Sequence, residues 1–225
     1  MKPKAFLFDL NGTMVNDMEY HITGWHKILN ELGAGITLEQ MKLECYGKNQ
    51  ELLERIFPGR FTEAEKDKMI LEKEMAYQQA FRPKLELIKG LHQFLERARV
   101  EGIKMAICSA AILFNIDFVI DGTRIRHYFD ALVSADEVQI SKPDPETFLI
   151  AAERLKILPS DCIVFEDSPK GVEAALNAGM KCFVITTMHE PSEFKQHHNI
   201  IGFGKDFTEF HKMIFSEKLS YNISA

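Results

Sequence analysis

The sequence predicts an α/β protein in which a parallel β-sheet carries helices on both faces and a small all-helical domain is inserted. Short apolar runs closed by polar or glycine residues recur along the chain, as is typical of strands buried on both faces. Helical stretches separate these runs, and strands that alternate with helices favour a parallel sheet. Residues 16–87 interrupt this alternation with helical signals only. The predicted architecture is therefore a Rossmann-like sheet with a helical insertion.

The predicted strands are short and apolar. The first, residues 4–8, ends at Asp9 and is followed by Gly12 and Thr13. The other strands have the same character and are predicted at Lys104–Cys108, Ala131–Val133, 162–165 and 182–185. The clearest helices between them are predicted at Leu91–Val100 and 145–155. At the end of the chain, a stretch that includes residues 216–225 predicts a helix followed by a polar tail.

The helical insertion carries its own start signals. Thr37 with Gln40, and Thr62 with Glu65, match the capping box, in which a hydroxyl and an amide or carboxylate satisfy free N–H groups at a helix start. A segment of about seventy residues is too long for a loop. We therefore predict a core domain formed by residues 1–15 and 88–225, and a helical cap domain formed by residues 16–87.

Composition and charge argue against several classes of protein. The chain has 225 residues, of which 46% are hydrophobic and 27% charged, and this excludes intrinsic disorder. The formal net charge of −6 argues against nucleic acid as a partner. No apolar run approaches the roughly 18 residues needed to span a bilayer, and no signal peptide is recognised. A soluble cytoplasmic protein is expected, and most of its scattered cysteines should be reduced core thiols.

Polar side chains stand at the carboxyl ends of the predicted strands. Asp9, Ser109 and the pair Glu166-Asp167 each follow a strand, and Lys142 stands just before a predicted helix. Ligands of open parallel sheets bind outside these strand ends, so we expect the side chains to converge. Carboxylates suit Mg²⁺, whereas a hydroxyl and an ammonium group suit phosphate oxygens. A carboxylate within reach of phosphorus is a potential nucleophile, and the constellation predicts phosphoryl transfer.

The same residues carry a resemblance to a known family. Four motifs occur in order, with the helical insertion between the first two: Asp9-Leu10-Asn11-Gly12-Thr13, Ser109, Lys142 before Pro143, and Glu166-Asp167. In these motifs the chain resembles the haloacid dehalogenase (HAD) superfamily and, within it, the phosphatases similar to β-phosphoglucomutase. The resemblance covers nearly the whole chain.

The resemblance implies a Mg²⁺-dependent enzyme that hydrolyses a small phosphorylated metabolite of the sugar-phosphate type. It implies an aspartyl-phosphate on Asp9, with the transferred phosphate held by Ser109 and Lys142. The implied Mg²⁺ site consists of Asp9, the backbone carbonyl of Asn11, Glu166 and Asp167. A monomer is expected on the same ground, with neither nucleic acid nor membrane as a partner.

One position departs from the pattern of the family. Asn11 replaces the second carboxylate of the first motif, which is the general acid and base of the family. An amide can neither give a proton to a leaving group nor take one from water. Loss of such a group typically lowers the rate by about 10²–10⁴-fold. A catalytically weak or inactive phosphate- or metal-binding protein is therefore the alternative hypothesis.

The predicted substrate-binding residues show a second departure. In the mutases of the family, the loop after the motif serine carries polar groups that hold a second phosphate, whereas residues 110–113 here are Ala-Ala-Ile-Leu. A phosphomonoester hydrolase is therefore predicted ahead of a β-phosphoglucomutase-type mutase. The residues expected to contact substrate are Ser109, Ala110 and Lys142 of the core, and Lys48, His21 and Trp25 of the cap.

Two further classes fit the sequence less well. A phospho-accepting signalling receiver would be shorter and would carry its acidic pair after the first strand. A dehalogenase needs no Mg²⁺, which would leave Glu166 and Asp167 without a role. The adjacent His197 and His198 diverge in direction and have no suitably spaced carboxylate, so we interpret them as surface residues and not as metal ligands.

Overall fold

The computed structural model describes residues 3–215, and the chain divides into two compact units. One unit contains the chain up to Asn16 together with the chain from Glu86 onward. The other unit is the inserted segment Asp17–Leu85. The polar tail predicted at residues 216–225 lies outside the described residues.

Strands and helices alternate along the larger unit, and the smaller unit is helical. In the described part of the chain the helices are α1 (Met18–Glu31), α2 (Leu38–Glu44), α3 (Asn49–Ile56), α4 (Glu63–Phe81), α5 (Leu91–Val100), α6 (Leu113–Gly122), α7 (Glu146–Leu155), α8 (Pro169–Asn177) and α9 (Phe207–Phe215). The strands are β1 (Ala5–Phe8), β2 (Lys104–Cys108), β3 (Ala131–Val133), β4 (Cys162–Glu166), β5 (Lys181–Ile185) and β6 (Ile200–Gly204).

The larger unit is built on one parallel sheet of strand order β3-β2-β1-β4-β5-β6. Strand β1 is central, with Ala5 opposite Lys104 of β2 on one side and Cys162 of β4 on the other. The chain runs outward from β1 to β3 and then returns to β4 on the opposite side. The carboxyl ends of β1 and β4 therefore lie at the switch point where such sheets bind ligands. The predicted fold class is confirmed.

Alternating side chains of the strands build a core on each face of the sheet. On one face, Ala5 and Leu7 belong to an apolar cluster that also contains Phe148 of α7 and Val172 of α8. The opposite face is aromatic, and there the ring centroid of Phe6 lies 5.3 Å from that of Phe94 on α5. Because successive strand residues point to opposite faces, a continuous apolar run is what a sheet covered on both sides requires.

The sequence analysis missed strand β6. Two of its five residues are glycines, and glycine weakens a strand signal. At Gly202 an added Cβ would lie 2.7 Å from the ring of Phe183 on β5, so the absent side chain makes room for that ring. The surface interpretation of His197 is also wrong. His197 is 9% exposed, and its ring centroid lies 6.3 Å from that of Phe194.

The smaller unit follows the start signals found in the sequence. At the start of α2, the N–H of Gln40 donates to Thr37 Oγ1 at 3.2 Å and the N–H of Thr37 donates to Gln40 Oε1 at 2.8 Å. The same reciprocal pair joins Thr62 and Glu65 at the start of α4. These bonds satisfy N–H groups that a helix start leaves free. The predicted all-helical insertion is confirmed.

Among residues 3–215, no helix combines the length and the apolar character that a membrane crossing requires. The four cysteines are free thiols in the structure, and three of them are buried: Cys108, Cys162 and Cys182. Burial raises the pKa of the Cys162 thiol to about 11. A buried thiol of this kind is chemically inert, which agrees with the expectation of core cysteines.

Candidate active site

The site begins where the central strand β1 ends. The N–H of Asp9 still donates to the carbonyl of Phe165 on β4, at 3.0 Å, so the ladder between the two strands fixes its backbone. The chain then turns sharply, and the N–H of Gly12 donates to the carbonyl of Val15 at 2.8 Å. Gly12 has φ +78°, a conformation that favours glycine. The turn places Asp9 at the carboxyl edge of the sheet.

Lys142 is the centre of the hydrogen-bond network at this edge. Its Nζ donates to Asp9 Oδ1 at 2.6 Å, to Glu166 Oε1 at 2.7 Å and to the carbonyl of Cys108 at 3.0 Å. These acceptors match the three donors of an ammonium group. The side chain is buried, and its Nζ lies 4.9 Å from the ring centroid of Phe148. Lys142 is therefore held in one place by groups from β1, β2 and β4.

The two carboxylates keep Lys142 in its charged form. Burial alone would lower the pKa of this lysine, but the nearby carboxylates of Asp9 and Glu166 raise it by more. The pKa of Lys142 therefore lies above its ordinary value. A fixed positive charge beside Asp9 suits the binding of an anion at this edge.

Three buried carboxylates surround this single lysine. Oxygen atoms of Asp9, Glu166 and Asp167 all lie within 4.8 Å of one another. Burial, followed by the charges of Glu166 and Asp9, raises the pKa of Asp167 well above its usual range. The cluster thus holds more negative charge than Lys142 compensates, and its ligands are all hard oxygen atoms. This donor set fits a divalent cation of the Mg²⁺ type.

The start of α8 holds Glu166. Its Oε2 accepts from the N–H of Asp167, the N–H of Ser168 and the hydroxyl of Ser168, each at 3.0 Å. Ser168 also caps the helix, because its Oγ accepts from the N–H of Gly171 at 3.1 Å. An added Cβ at Gly171 would lie 1.9 Å from the Glu166 carboxylate. Glu166 can therefore take this position only because residue 171 has no side chain.

Ser109 lies at the end of β2, one residue after the carbonyl that Lys142 contacts. Its N–H donates to the carbonyl of Val133 at 3.0 Å, and its Oγ accepts from the N–H of Ala111 at 3.1 Å. The bond from Ala111 uses the hydroxyl as an acceptor, which leaves its hydrogen available as a donor. The side chain of Ser109 is buried, and Ala110 is partly exposed.

Two threonines brace the loop that carries Asn11. Thr187, just after β5, donates its hydroxyl to the carbonyl of Gly12 at 2.6 Å. Thr13 donates its hydroxyl to Asp167 Oδ1 at 3.3 Å. Asn11 itself is partly buried and forms a backbone bridge with Val15. The sequence analysis did not identify either threonine as part of the site. Thr13 could have been recognised, because it lies within the first motif.

The helical unit contains a second buried polar network. Lys73 Nζ lies 2.6 Å from His21 Nδ1 and donates to Glu74 Oε1 at 2.9 Å. His21 Nε2 lies 3.5 Å from Asp17 Oδ2, and Tyr77 donates its hydroxyl to the same oxygen at 2.5 Å. Sequence reasoning found only His21 among these residues. The available signal was the polar buried face of α4, which a helix in an ordinary apolar core does not show.

The other cap residues named from the sequence lie in the same unit. Trp25 is 1% exposed, and its indole N–H donates to Asn49 Oδ1 at 3.0 Å. Lys48 is the N-cap residue of α3, and its backbone N–H donates to Glu51 Oε2 at 3.1 Å. Trp25 is thus part of the interior of the helical unit, and its contact with substrate stays a prediction.

The structure is an α/β fold with a buried lysine and a carboxylate cluster at the carboxyl edge of its parallel sheet, where such sheets bind ligands. A family model described as "Haloacid dehalogenase-like hydrolase" matches residues 6–185. The chain belongs to this family. The predicted resemblance is confirmed, and so is the prediction of an enzyme of the phosphatase and phosphomutase kind.

The chain is similar to several named members of the family. It is 31% identical to β-phosphoglucomutase of Bacillus subtilis over 185 residues, which cover 79% of this chain and 80% of the relative. It is 29% identical to fructose-1-phosphate phosphatase YqaB of Escherichia coli over 182 residues, which cover 78% and 93%. The crystal structure of β-phosphoglucomutase from Clostridium difficile superposes with a TM-score of 0.83 at 25% identity, covering 97% of each chain.

Proposed function

We propose that this protein is a Mg²⁺-dependent phosphatase that hydrolyses a small sugar phosphate through an aspartyl-phosphate on Asp9. The observation that carries the proposal is the buried contact between Lys142 and Asp9, set within a cluster of three carboxylates. The names of the relatives, a fructose-1-phosphate phosphatase and a β-phosphoglucomutase, support a sugar phosphate as the substrate class.

In the proposed reaction, a carboxylate oxygen of Asp9 attacks phosphorus, and the bond from phosphorus to the ester oxygen breaks. Lys142 orients the attacking carboxylate through its bond to Oδ1, and its charge stabilises the developing negative charge on the phosphoryl oxygens. The hydroxyl hydrogen of Ser109 is placed to donate to one of these oxygens. Water then attacks the acyl phosphate, which releases inorganic phosphate and restores the carboxylate of Asp9.

The residues that would hold Mg²⁺ are Asp9, Asp167 and the backbone carbonyl of Asn11, with Glu166 beside them. The bound ion would supply positive charge to the transferring phosphoryl group. Glu166 already gives one carboxylate oxygen to Lys142 and the other to the start of α8, so we assign it mainly to positioning. Thr13 would orient Asp167 through its hydroxyl.

The side chain at position 11 determines the rate of hydrolysis that we expect. The leaving alkoxide needs a proton and the attacking water must lose one, and an amide side chain can do neither. We therefore propose a slow enzyme. A second candidate function, the binding of a phosphorylated metabolite without turnover, is favoured by the same residue. A mutase of the β-phosphoglucomutase type is the remaining alternative.

We assign the two units different roles. Residues 1–15 and 88–225 would be the catalytic core, and residues 16–87 would be a cap that selects the substrate. Lys48, His21 and Trp25 are the cap residues proposed to contact it, and Ala110 would contribute from the core. A monomer is proposed on the ground of the family resemblance, and a cytoplasmic location on the ground of the composition of the chain.

The test is phosphate release from a panel of sugar phosphates, with Mg²⁺ and with excess chelator. The chain with Asn11 is compared with Asn11→Asp, and we expect the variant to be faster by about 10²-fold or more. Asn16→Asp is the matched control, because Asn16 is exposed and lies outside the site. Asp9→Asn, which preserves side-chain size, should be inactive in either background. Full Mg²⁺-dependent turnover by Asp9→Asn would refute the proposal.

One chemical control belongs to this test. Asn11 precedes Gly12, and a glycine offers no side chain to hinder attack of its nitrogen on the asparagine amide. That attack expels ammonia and closes a succinimide ring, and hydrolysis of the ring gives aspartate or isoaspartate at position 11. The peptide that contains residue 11 is therefore analysed by mass spectrometry before and after each assay, so that activity of the natural chain is not due to converted protein.

A further inference from the structure

A cavity lies at the edge of the parallel sheet opposite to the candidate active site. It has a volume of about 220 Å³ and is lined by residues at the start of β2 and just before β3. Lys104 begins β2 at this edge, and Cys108 ends it at the other edge, where its carbonyl accepts from Lys142. These four steps along a strand span about 13 Å at roughly 3.3 Å per residue. The cavity, named the β2–β3 cavity, is therefore separate from the site around Asp9.

The buried residues that line the β2–β3 cavity are apolar or aromatic. Met105 is 1% exposed and Tyr128 is 8% exposed. Most of the backbone N–H groups around the cavity already have an acceptor. For example, the N–H of Lys104 donates to the carbonyl of Lys4 at 3.0 Å, and that of Asp130 donates to the carbonyl of Met105 at 2.8 Å. A ligand would therefore be bound by side-chain donors against an apolar surface.

The guanidinium group of Arg99 on α5 is the first of these donors. Its Nη1 donates to the carbonyl of His127 at 3.4 Å, and its Cζ lies 5.9 Å from the ring centroid of Tyr128, a distance at which cation and ring attract. Within residues 3–215, Arg99 forms no ion pair with a carboxylate. The N–H groups that remain form a planar fork, which matches the geometry of an oxyanion.

The arginines close to these residues in the sequence are neutralised, in contrast to Arg99. Arg97, two residues earlier on α5, forms an ion pair with Glu101. Arg126, next to His127, forms ion pairs with two aspartates. In a chain with a formal net charge of −6, an exposed arginine without such a partner among the described residues makes a local positive potential that attracts anions.

Lys104 adds a second cation to the lining of the cavity. Its Nζ donates to Asp130 Oδ1 at 2.7 Å, and the N–H of Met105 donates to Asp130 Oδ2 at 3.1 Å. Both oxygens of Asp130 therefore have a donor, whereas an ammonium group has three N–H groups to share. With His127 neutral, two cations and one carboxylate line the cavity, which leaves one positive charge for a ligand to compensate.

We propose that the β2–β3 cavity binds a small ligand through one oxyanion group, a phosphate or a carboxylate, held by Arg99 and Lys104. The uncharged part of the ligand would lie against Met105 and Tyr128. Pockets for drug-sized ligands measure roughly 300–1,000 Å³, so the volume of this cavity fits a smaller molecule. The proposal does not depend on the proposed phosphatase function, because it involves neither Asp9 nor a metal ion.

The test follows backbone amide signals of the metal-free full chain by NMR during separate titrations with inorganic phosphate, malonate and chloride at equal ionic strength. Signals of residues 102–105 and 127–130 report on the β2–β3 cavity, whereas those of residues 9–13 and 109–111 report on the candidate active site. We expect the first group to shift saturably with phosphate or malonate, and the tighter binder identifies the oxyanion. No saturable shift with either, or equal shifts with chloride, would overturn the proposal.

Three variants make the test specific to Arg99. Arg99→Gln should raise the dissociation constant read from the cavity signals by at least about tenfold, because charge-assisted bonds are lost. Arg99→Lys, which keeps the charge but not the fork, should lie between this variant and the unsubstituted chain. Arg97→Gln is the matched control on the same helix and should leave the constant nearly unchanged, since Arg97 is also exposed but paired.

Equal weakening by Arg97→Gln and Arg99→Gln would show that overall charge decides, and would overturn the proposal. Thermal unfolding verifies that all three variants fold, and the signals at the candidate active site should respond to phosphate as in the unsubstituted chain. Failure of the protein to release phosphate from any ester would count against the proposed function and leave this proposal standing.

Discussion

At the scale of single residues, the site depends on charged side chains that are buried in contact with one another. Lys142, Asp9 and Glu166 are all buried, and the Lys142 ammonium group forms an ion pair with both carboxylates. Removing one partner from such a group leaves an uncompensated charge, which costs far more than the pair contributes. Residues of this kind are expected to affect stability and activity together.

Lys142→Met should therefore abolish phosphate release and lower the free energy of unfolding by about 3–5 kcal/mol. The methionine fills the space but leaves Asp9 and Glu166 side by side without a cation. Lys170→Met is the matched control, since Lys170 is 46% exposed in its pair with Glu173 and its loss should cost about 1 kcal/mol or less. Chemical denaturation checks both values, and a Lys142→Met protein as stable as the natural chain would contradict the argument.

Gly171→Ala tests how Glu166 is positioned. In most helix interiors the change from glycine to alanine is stabilising, but here the new Cβ would displace the Glu166 carboxylate. We expect Mg²⁺ affinity or activity to fall by about 10–100-fold, as for other residues that orient metal ligands. Glu173→Ala, a change in the same helix, should have little effect. Unchanged activity and Mg²⁺ affinity in Gly171→Ala would mean that the carboxylate can move without consequence.

The sequence predicted the residues that carry the proposed chemistry but not those that hold them. Asp9, Lys142, Glu166 and Asp167 could be found because charged groups at strand ends are rare and their motif order is specific. The role of Thr187 could not be found, because a hydroxyl that braces a carbonyl of another loop is a long-range contact without a local pattern.

At the scale of elements, patterns with a local cause were predicted well. The start and end of α5 were predicted from the sequence at Leu91–Val100, where the structure places them. Strand β6 was missed because Gly202 and Gly204 remove the apolar signal, and they are glycines because rings of neighbouring elements occupy the space of a side chain. The polar face of α4 was missed for a similar reason, since its buried charges have partners on other helices.

The capping box at the start of α4 should make the stability effect of a substitution at Thr62 depend on pH. Thr62→Ala should lower the free energy of unfolding by about 1 kcal/mol at neutral pH. Hydrogen bonds from the N–H and hydroxyl of Thr62 lower the pKa of the Glu65 carboxyl in the folded protein. A lowered folded pKa gives stability that is present above the ordinary carboxyl pKa of about 4.3 and lost as the pH falls through the folded pKa.

The free energy of unfolding of Thr62→Ala should therefore approach that of the unsubstituted chain as the pH falls below about 4. Thermal unfolding at a series of pH values measures it. Thr23→Ala is the control, because the Thr23 hydroxyl donates to the carbonyl of Glu19 and contacts no carboxylate among the described residues. A difference for Thr62→Ala that stays constant down to acid pH would exclude Glu65 as its partner.

At the scale of the whole molecule, the chain is acidic, with a formal net charge of −6, and its carboxylate cluster adds buried negative charge. A cation that binds this cluster only in the folded state should stabilise the protein by mass action, by about 2.7 kcal/mol at one hundred times its dissociation constant. Mg²⁺ should therefore raise the unfolding temperature, and excess chelator should reverse the rise.

Asp167→Asn should remove most of that response to Mg²⁺, because it takes one carboxylate from the cluster. Asp117→Asn, at a partly exposed position, should keep the response in full, since Asp117 contacts Arg126 and lies outside the cluster. Calorimetric scans with and without Mg²⁺ compare the two variants. An equal rise in unfolding temperature for both would place the ion elsewhere.

The contacts of Lys142 also determine when the site can exist during folding. Its partners Asp9, Cys108 and Glu166 are 133, 34 and 24 residues away along the chain. The insertion between β1 and β2 lengthens the loop that their pairing must close, although each doubling of a loop costs only about 0.6 kcal/mol. No partial structure that lacks β1 can assemble these groups. Recovery of the Lys142 contacts during refolding therefore follows the docking of β1 between β2 and β4.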